Sequence, residues 1–305
     1  MSEALKISVV ICTYNRSVYI KDAMESLYNQ TLPKDQYEVI VVNNNSTDNT
    51  EQVCKSFLET HSLGHYQYMN ESKQGASFAR NTGASFARSP LLCFMDDDAI
   101  ADKDYLEKIV NFFAKYPDAG GLGGRIIPRY IPREPKWMSH YVSSLVGHFH
   151  YSDTISVFTA NKYPLESNMI IRKSDFDAIN GFNPALPGVV GTLRIGGEGK
   201  DFFFRLKELG RTIYYDPSIR VQHVVEVPKL TREYMYRVAS GIGRGERVRI
   251  KEQGEWVFYK KILEYLFKLA ASIILGIKYT LQGKPSKAGP VIRFRIDALK
   301  GLLNH

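Results

Sequence analysis

Residues 89–98 read Ser89-Pro90-Leu91-Leu92-Cys93-Phe94-Met95-Asp96-Asp97-Asp98, five apolar residues that end abruptly in three carboxylates. The apolar run has the length and composition of a short strand buried on both faces, with Pro90 closing its start. Three adjacent acids cannot follow it into a core, because desolvating unpaired charge costs far more than packing returns. They belong where the strand emerges, at the rim on which open α/β sheets bind ligands. There they either face solvent or hold a cation.

Working back from this stretch, apolar strands alternate with amphipathic helices. Residues 7–13 (Ile-Ser-Val-Val-Ile-Cys-Thr) form a strand rich in β-branched side chains. Tyr14-Asn15-Arg16 turns out of it, and Ser17 is placed to cap a helix ending near residue 28. A second strand at 37–42 ends in the polar turn Asn43-Asn44-Asn45-Ser46-Thr47-Asp48, and Asp48 with Glu51 opens a helix to about residue 61. A strand at 66–69 and a helix at 75–87 carrying Arg80 and Asn81 complete the approach. This spacing predicts an α/β fold with a mostly parallel sheet, flanked by helices. The turns after strands one, two and four then share one edge. No Gly-x-Gly-x-x-Gly follows the first strand, which argues against the usual dinucleotide fold.

Working forward, a helix at 104–116 and a strand at 120–127 are expected. Residues 128–164 are aromatic and proline-broken, resist assignment, and read as a substrate-side loop. A strand at 168–172 follows, and a glycine-rich run at 191–197 leads into a helix from Glu198 carrying Phe202, Phe203, Phe204 and Leu206. Strands are expected near Ile213 and at 219–223. The expected organisation is a catalytic domain over 1–228, with a nucleotide-binding half to about 127, and a helical extension over 229–305.

The net charge of +8 is unevenly placed: residues 229–305 hold 16 Lys and Arg against 6 Asp and Glu, the remainder 24 against 26. A near-neutral body with a basic tail suits docking better than a nucleic-acid groove. Within 262–281, Leu263, Leu266, Phe267, Ala270, Ile274, Ile277 and Leu281 recur at helical spacing, flanked by Lys260, Lys261, Glu264, Lys268 and Lys278. Its uncharged run, 269–277, falls well short of the roughly 20 residues that span a bilayer. A second stretch, 291–303, mixes Arg293, Arg295 and Lys300 with apolar residues. Both read as basic amphipathic helices lying on an anionic membrane; packing on the core or on another subunit is the alternative. Cys12, Cys54 and Cys93 lack metal-ligand spacing and read as buried thiols of a reducing compartment. Residues 1–6 lack the cationic start and apolar run of a signal peptide. The expectation is a cytoplasmic protein, peripheral on the membrane's cytoplasmic face.

Taken together, the chain over roughly 7–245 resembles the inverting glycosyltransferases of family 2, which have the GT-A fold. Val9-Val10-Ile11-Cys12-Thr13-Tyr14-Asn15-Arg16 resembles the family's opening strand, and Gly75 with Ala79-Arg80-Asn81-Thr82-Gly83 its Ala-Arg-Asn-x-Gly helix. Asp96-Asp97-Asp98 resembles its Asp-x-Asp site. Glu166-Ser167-Asn168-Met169-Ile170-Ile171-Arg172 with Gly181-Phe182 is similar to its sugar-side segment, and His223 with Leu230-Thr231 and Tyr234 to its closing histidine motif. The resemblance implies transfer of a sugar from a nucleoside-diphosphate sugar, UDP or dTDP, to a glycan or lipid-linked acceptor in cell-envelope glycan synthesis. It implies that Thr13, Tyr14, Arg16, Asn44, Arg80, Asp96, Asp97 and Asn168 contact the nucleotide sugar. Asp98 and His223, with Asp96, would hold Mn²⁺ or Mg²⁺, which neutralises the departing diphosphate. Glu198 would be the base and Asp201 its support or alternative. A lone base with no second nucleophile implies inversion.

Two departures stand out. Asn43-Asn44-Asn45 replaces the common Asp-Asp-Gly, exchanging an acceptor for an amide that also donates. Glu198-Gly199-Lys200-Asp201 replaces Glu-Asp-x-Asp, losing the middle acid. That loss motivates one competing reading, a non-catalytic sugar-nucleotide-binding subunit. A metal-dependent nucleotidyltransferase would need a glycine- and lysine-rich phosphate loop, which the N-terminal region lacks; a glycosidase would need neither metal nor nucleotide.

Overall fold

A computed structural model describes residues 4–61, 64–159, 161–190 and 193–304. Its N-terminal strands β1 (Ile7–Thr13), β2 (Tyr37–Asn43), β3 (Tyr66–Asn70) and β4 (Leu91–Asp96) are parallel, joined through α1 (Ile20–Tyr28), α2 (Thr50–Thr60) and α3 (Ala76–Phe86). Then come β5 (Ala99–Ala101), α4 (Tyr105–Lys115), β6 (Ala119–Tyr130), α5 (His140–Ser143), β7 (Ser156–Val157), β8 (Asn168–Arg172) and α6 (Lys173–Ala178). The chain ends with β9 (Gly188–Val190), β10 (Leu193–Ile195), α7 (Glu198–Glu208), β11 (Thr212–Val225), α8 (Arg232–Ile250), α9 (Glu255–Leu281) and α10 (Ala288–Leu303). The main sheet runs β3-β2-β1-β4-β8-β6-β11-β5, with β7 also on β11. It is mixed: β8 lies antiparallel to β4 and β6, and β5 antiparallel to β11.

The described residues divide into two units, one drawn from Met1–Ile127, Phe149–Pro184 and Gly199–Val224, the other from Pro128–His148, Ala185–Glu198 and Val225–His305. In the first, β1 and β4 are covered on both faces, as their unbroken apolar runs require. Ile7, Val9, Ile11, Leu91, Cys93 and Met95 face one core, while Val10, Leu92 and Phe94 face the other. Burial pushes the thiols of Cys12, Cys54 and Cys93 up to about 12, leaving them unreactive. The strands expected near 213 and at 219–223 are one strand. Pro217, which has no N–H to donate, falls between the stretch of β11 paired with β7 at Tyr214–Tyr215 and the stretch paired with β5 at 221–223.

In the second unit, α8 lies within the helical extension expected over 229–305, and it carries glycines where other backbone comes close. A Cβ on Gly243 would lie 2.0 Å from Ala298 O, and one on Gly301 would lie 1.9 Å from Ser240 O. The backbones of α8 and α10 therefore touch. α9 buries Tyr265, Ser272 and Gly276 and leaves the expected apolar stripe outward: Leu263, Phe267 (76% exposed), Ile274 (69%) and Leu281. The glycine-rich run proves to be part of the β9–β10 hairpin, though Gly191 and Thr192 lie outside the described residues.

On the sheet side, a Cβ on Gly83 of α3 would sit 2.3 Å from Val10 Cγ1 and 3.1 Å from Val42 Cγ2. Gly83→Ala should cost about 1–3 kcal/mol in urea unfolding through overpacking. Stability equal to wild type would show that α3 can lift off the sheet without cost.

Candidate active site

The parallel register builds one polar rim. Thr13 pairs with Asn43 and Cys12 with Asp96, so the carboxyl ends of β1, β2 and β4 finish level. The turns are laced together. Asn15, at φ 53°, accepts from Thr47 N–H (2.8 Å) and donates its own N–H to Ser46 Oγ (2.9 Å), while Arg16 N–H donates to Thr50 Oγ1 (3.0 Å). Thr13 is buried and Tyr14 exposed at this edge.

β5 turns the acidic trio back toward β11, where Ala99 pairs with His223 and Val224 N–H donates to Asp98 O (2.9 Å). His223 Nε2 thereby reaches 3.0 Å from Asp98 Oδ1 and 4.0 Å from Asp96 Oδ2. Ligand atoms of Asp96, Asp98 and His223 all lie within 4.8 Å of one another. Two carboxylates and an imidazole at this separation suit a divalent cation of the Mn²⁺ class. His223 Nδ1 is buried and has no hydrogen-bond partner among the described residues. Cations surround the trio: Arg16 stands 3.6 Å from Asp98 and 3.9 Å from Asp97, and Arg80 3.9 Å from Asp96. Burial, and then the neighbouring Asp98 carboxylate, push Asp97 up to about 7.

Two residues expected to read the donor prove to be internal ties. Asn44 Nδ2 donates to Glu71 O (3.1 Å) and Lys73 O (2.8 Å), and its Oδ1 accepts from Gly75 N–H (2.7 Å). Its side chain fastens the loop that delivers α3 and Arg80. Asn168 is 0% exposed; it donates to Arg125 O and Ile219 O and accepts from Tyr105 OH. With both donors and its acceptor so engaged, it clamps β6, β8, β11 and α4.

Downstream, Glu198 is the buried first residue of α7, and Asp201 Oδ2 accepts from Arg205 Nε at 2.9 Å. Arg205 also donates to Ile179 O (2.5 Å) and Gly181 O (2.8 Å), tying α7 to the Gly181-Phe182 turn. That turn is bound in its own right to α3, because Asn81 exchanges two 2.8 Å hydrogen bonds with the Phe182 backbone. One acid that meets the start of α7 lay inside the sugar-side segment without a role assigned to it: Glu166, whose Oε1 accepts Gly199 N–H at 2.8 Å.

A parallel half-sheet with an acidic rim, closed by a histidine on an antiparallel strand, defines a GT-A-type transferase fold. Residues 8–179 match the family model described as "Glycosyl transferase family 2", and the chain belongs to that family. It is 28% identical over 145 residues to the glucosyl-dolichyl phosphate glucuronosyltransferase of Haloferax volcanii, covering 47% of this chain and 45% of that protein. The chain thus spans under half of that relative. It is 24% identical to EpsH of Bacillus subtilis over 92% of this chain and 79% of EpsH. Among solved structures, the mannosyltransferase PcManGT from Pyrobaculum calidifontis, in complex with GDP-Man and Mn²⁺, aligns with a TM-score of 0.66 at 19% identity, covering 99% and 88% of the two chains. Residues 1–349 of S. aureus TarS, in complex with UDP, align with a TM-score of 0.54 at 21% identity, covering 78% and 65%.

Asp97 carries a sign that can be tested. The folded protein retains a proton that the unfolded chain releases near pH 4, so folding stability is greatest in acid and falls as pH rises toward about 7. Urea unfolding of EDTA-treated protein should show this decline between pH 5 and pH 7.5, and Asp97→Asn should flatten it. An identical slope in that variant would remove Asp97 as its source.

Proposed function

We propose that this chain transfers a sugar from a nucleoside-diphosphate sugar to a hydroxyl of a glycan or lipid-linked acceptor, with inversion at the anomeric carbon. The observation that carries the proposal is the cluster of Asp96, Asp98 and His223 at the rim of a family 2 fold. Asp98 and His223, with Asp96, would hold Mn²⁺ or Mg²⁺, which supplies positive charge to the diphosphate as it departs. The chain's own residues do the rest. Arg80 and Arg16 add fixed positive charge around the same carboxylates. Thr13 and Tyr14 lie along the edge proposed to take the nucleoside. The proton acceptor is a carboxylate at the start of α7, drawn from Glu198 and Asp201 on the helix and Glu166 held against it. PcManGT in complex with GDP-Man and TarS in complex with UDP make guanosine and uridine donors the first to try.

Nucleoside diphosphate release from UDP-GlcNAc, UDP-glucose and GDP-mannose should require Mn²⁺ or Mg²⁺ and stop with EDTA. Asp98→Asn should lower it by roughly 10²-fold or more. Turnover indifferent to EDTA would refute the metal-assisted reading.

We further propose that α9 rests on an anionic membrane, the phase in which a lipid-linked acceptor would reside. No helix among the described residues is long and apolar enough to cross a membrane. The outward stripe that includes Trp256, Leu263, Phe267 and Ile274 is instead flanked by Lys260, Lys268 and Lys278, the arrangement of an interfacial helix. Full-length protein should float with phosphatidylserine vesicles and far less with phosphatidylcholine alone, and Phe267→Asp with Ile274→Asp should abolish flotation. Protein that stays behind in both cases would exclude a membrane; a stripe-dependent dimer in sedimentation would assign the surface to a second copy.

A further inference from the structure

Gly199 is the point at which this chain departs from the Glu-Asp-x-Asp pattern, and the structure shows what fills the space. A Cβ built on Gly199 would lie 2.3 Å from Glu166 Oε1 and 2.7 Å from that residue's carboxyl carbon. The volume in which a side chain at 199 would begin already contains a carboxylate, brought from the segment that enters β8. Its Oε1 is fixed by Gly199 N–H at 2.8 Å.

This carboxylate also stands in a defined relation to the acidic rim. Arg80, 3.9 Å from Asp96, lies over the Phe182 ring at 5.3 Å, and Phe182 stacks on Phe202 of α7 at 4.6 Å. Three side-chain contacts thus connect the rim to the helix turn that Glu166 holds. Of the two acids on that turn, Asp201 is paired with Arg205 and Glu198 is 6% exposed, whereas Glu166 is partly exposed and able to meet an incoming molecule.

We infer that Glu166 is the general base of the transfer, replacing from another part of the chain the acid that position 199 lacks. The inference rests on the glycosyl-transfer reading above. In the step, the acceptor hydroxyl gives its proton to Glu166 Oε2 while its oxygen bonds to the anomeric carbon. The bond from that carbon to the diphosphate oxygen breaks, and its electron pair leaves with the diphosphate.

The test compares Glu166→Gln, Glu166→Ala and the double variant Glu166→Ala/Gly199→Asp, reading nucleoside diphosphate release from the same three donors with Mn²⁺. A glutamine carbonyl still accepts Gly199 N–H, so a residue that only caps the helix would tolerate Glu166→Gln. The expected result is a loss of roughly 10²-fold or more in both single variants. The thermal shift given by UDP or GDP with Mn²⁺ should stay at its wild-type value. Moving the carboxylate to 199 should regain at least about tenfold over Glu166→Ala. A Glu166→Gln enzyme within tenfold of wild type, or a double variant no better than Glu166→Ala, overturns the assignment. A wild type inert with every donor sinks the transfer reading itself, whereas an active wild type with an active Glu166→Gln sinks this inference alone.

Discussion

The organising constraint is electrostatic: three carboxylates placed in succession at the end of a strand that is apolar on both faces. Asp97 and Asp98 are buried, so their mutual repulsion is poorly screened, and Asp97 is driven toward its neutral form. The surrounding architecture answers that repulsion. β5 folds the trio back so that β11 brings His223 against it, while the β1 turn brings Arg16 and α3 brings Arg80. Arg16 and Arg80 stand 3.6–3.9 Å from the trio, so positive charge from two separate elements converges on the same carboxylates.

Around this charge cluster, rigidity is supplied by amides. Asn44 and Asn168 each place both donors and the acceptor of one side chain on other parts of the chain. Each joins segments distant in sequence, where a cross-link through a fully satisfied buried amide is most effective. Substituting amide for carboxylate at 44 therefore has a local logic. An acid there could accept from Gly75 N–H but could not donate to the carbonyls of Glu71 and Lys73. The residue that departs from the common pattern is one whose donors are needed.

The N-terminal strands and helices were legible because their signals are local: β-branched runs, polar turns and an abrupt change from apolar to acidic. The acidic trio was marked by the apolar strand before it, whereas His223 was marked only by the resemblance to family 2. What escaped had no local signal. The close backbone approach of α8 to α10 depends on Gly243 and Gly301, and glycine within a helix otherwise reads as an interruption. Residues 128–148 take their structure from distant partners in the second unit, with Met138, Val142 and Val146 packing near Val238 and Val291. Asn168 was read as facing a ligand because sequence shows chemistry without direction. Only the sheet register turns it inward.

Glycines at 83, 199 and 243 share one geometric fact, that no Cβ fits, and differ in what stands where it would be. At 83 the neighbour is a valine side chain, and the consequence is packing of helix on sheet. At 243 it is a backbone carbonyl, and the consequence is contact of helix with helix. At 199 it is a carboxylate. A charged group held against a helix N-terminus gains from the exposed N–H groups whatever its origin in sequence, because the helix end interacts with charge in space rather than along the chain. An acid lost from the first turn of α7 can therefore be replaced from a strand entry thirty-three residues earlier, as Glu166 Oε1 on Gly199 N–H shows. Glycine at 199 is the condition that makes room for it.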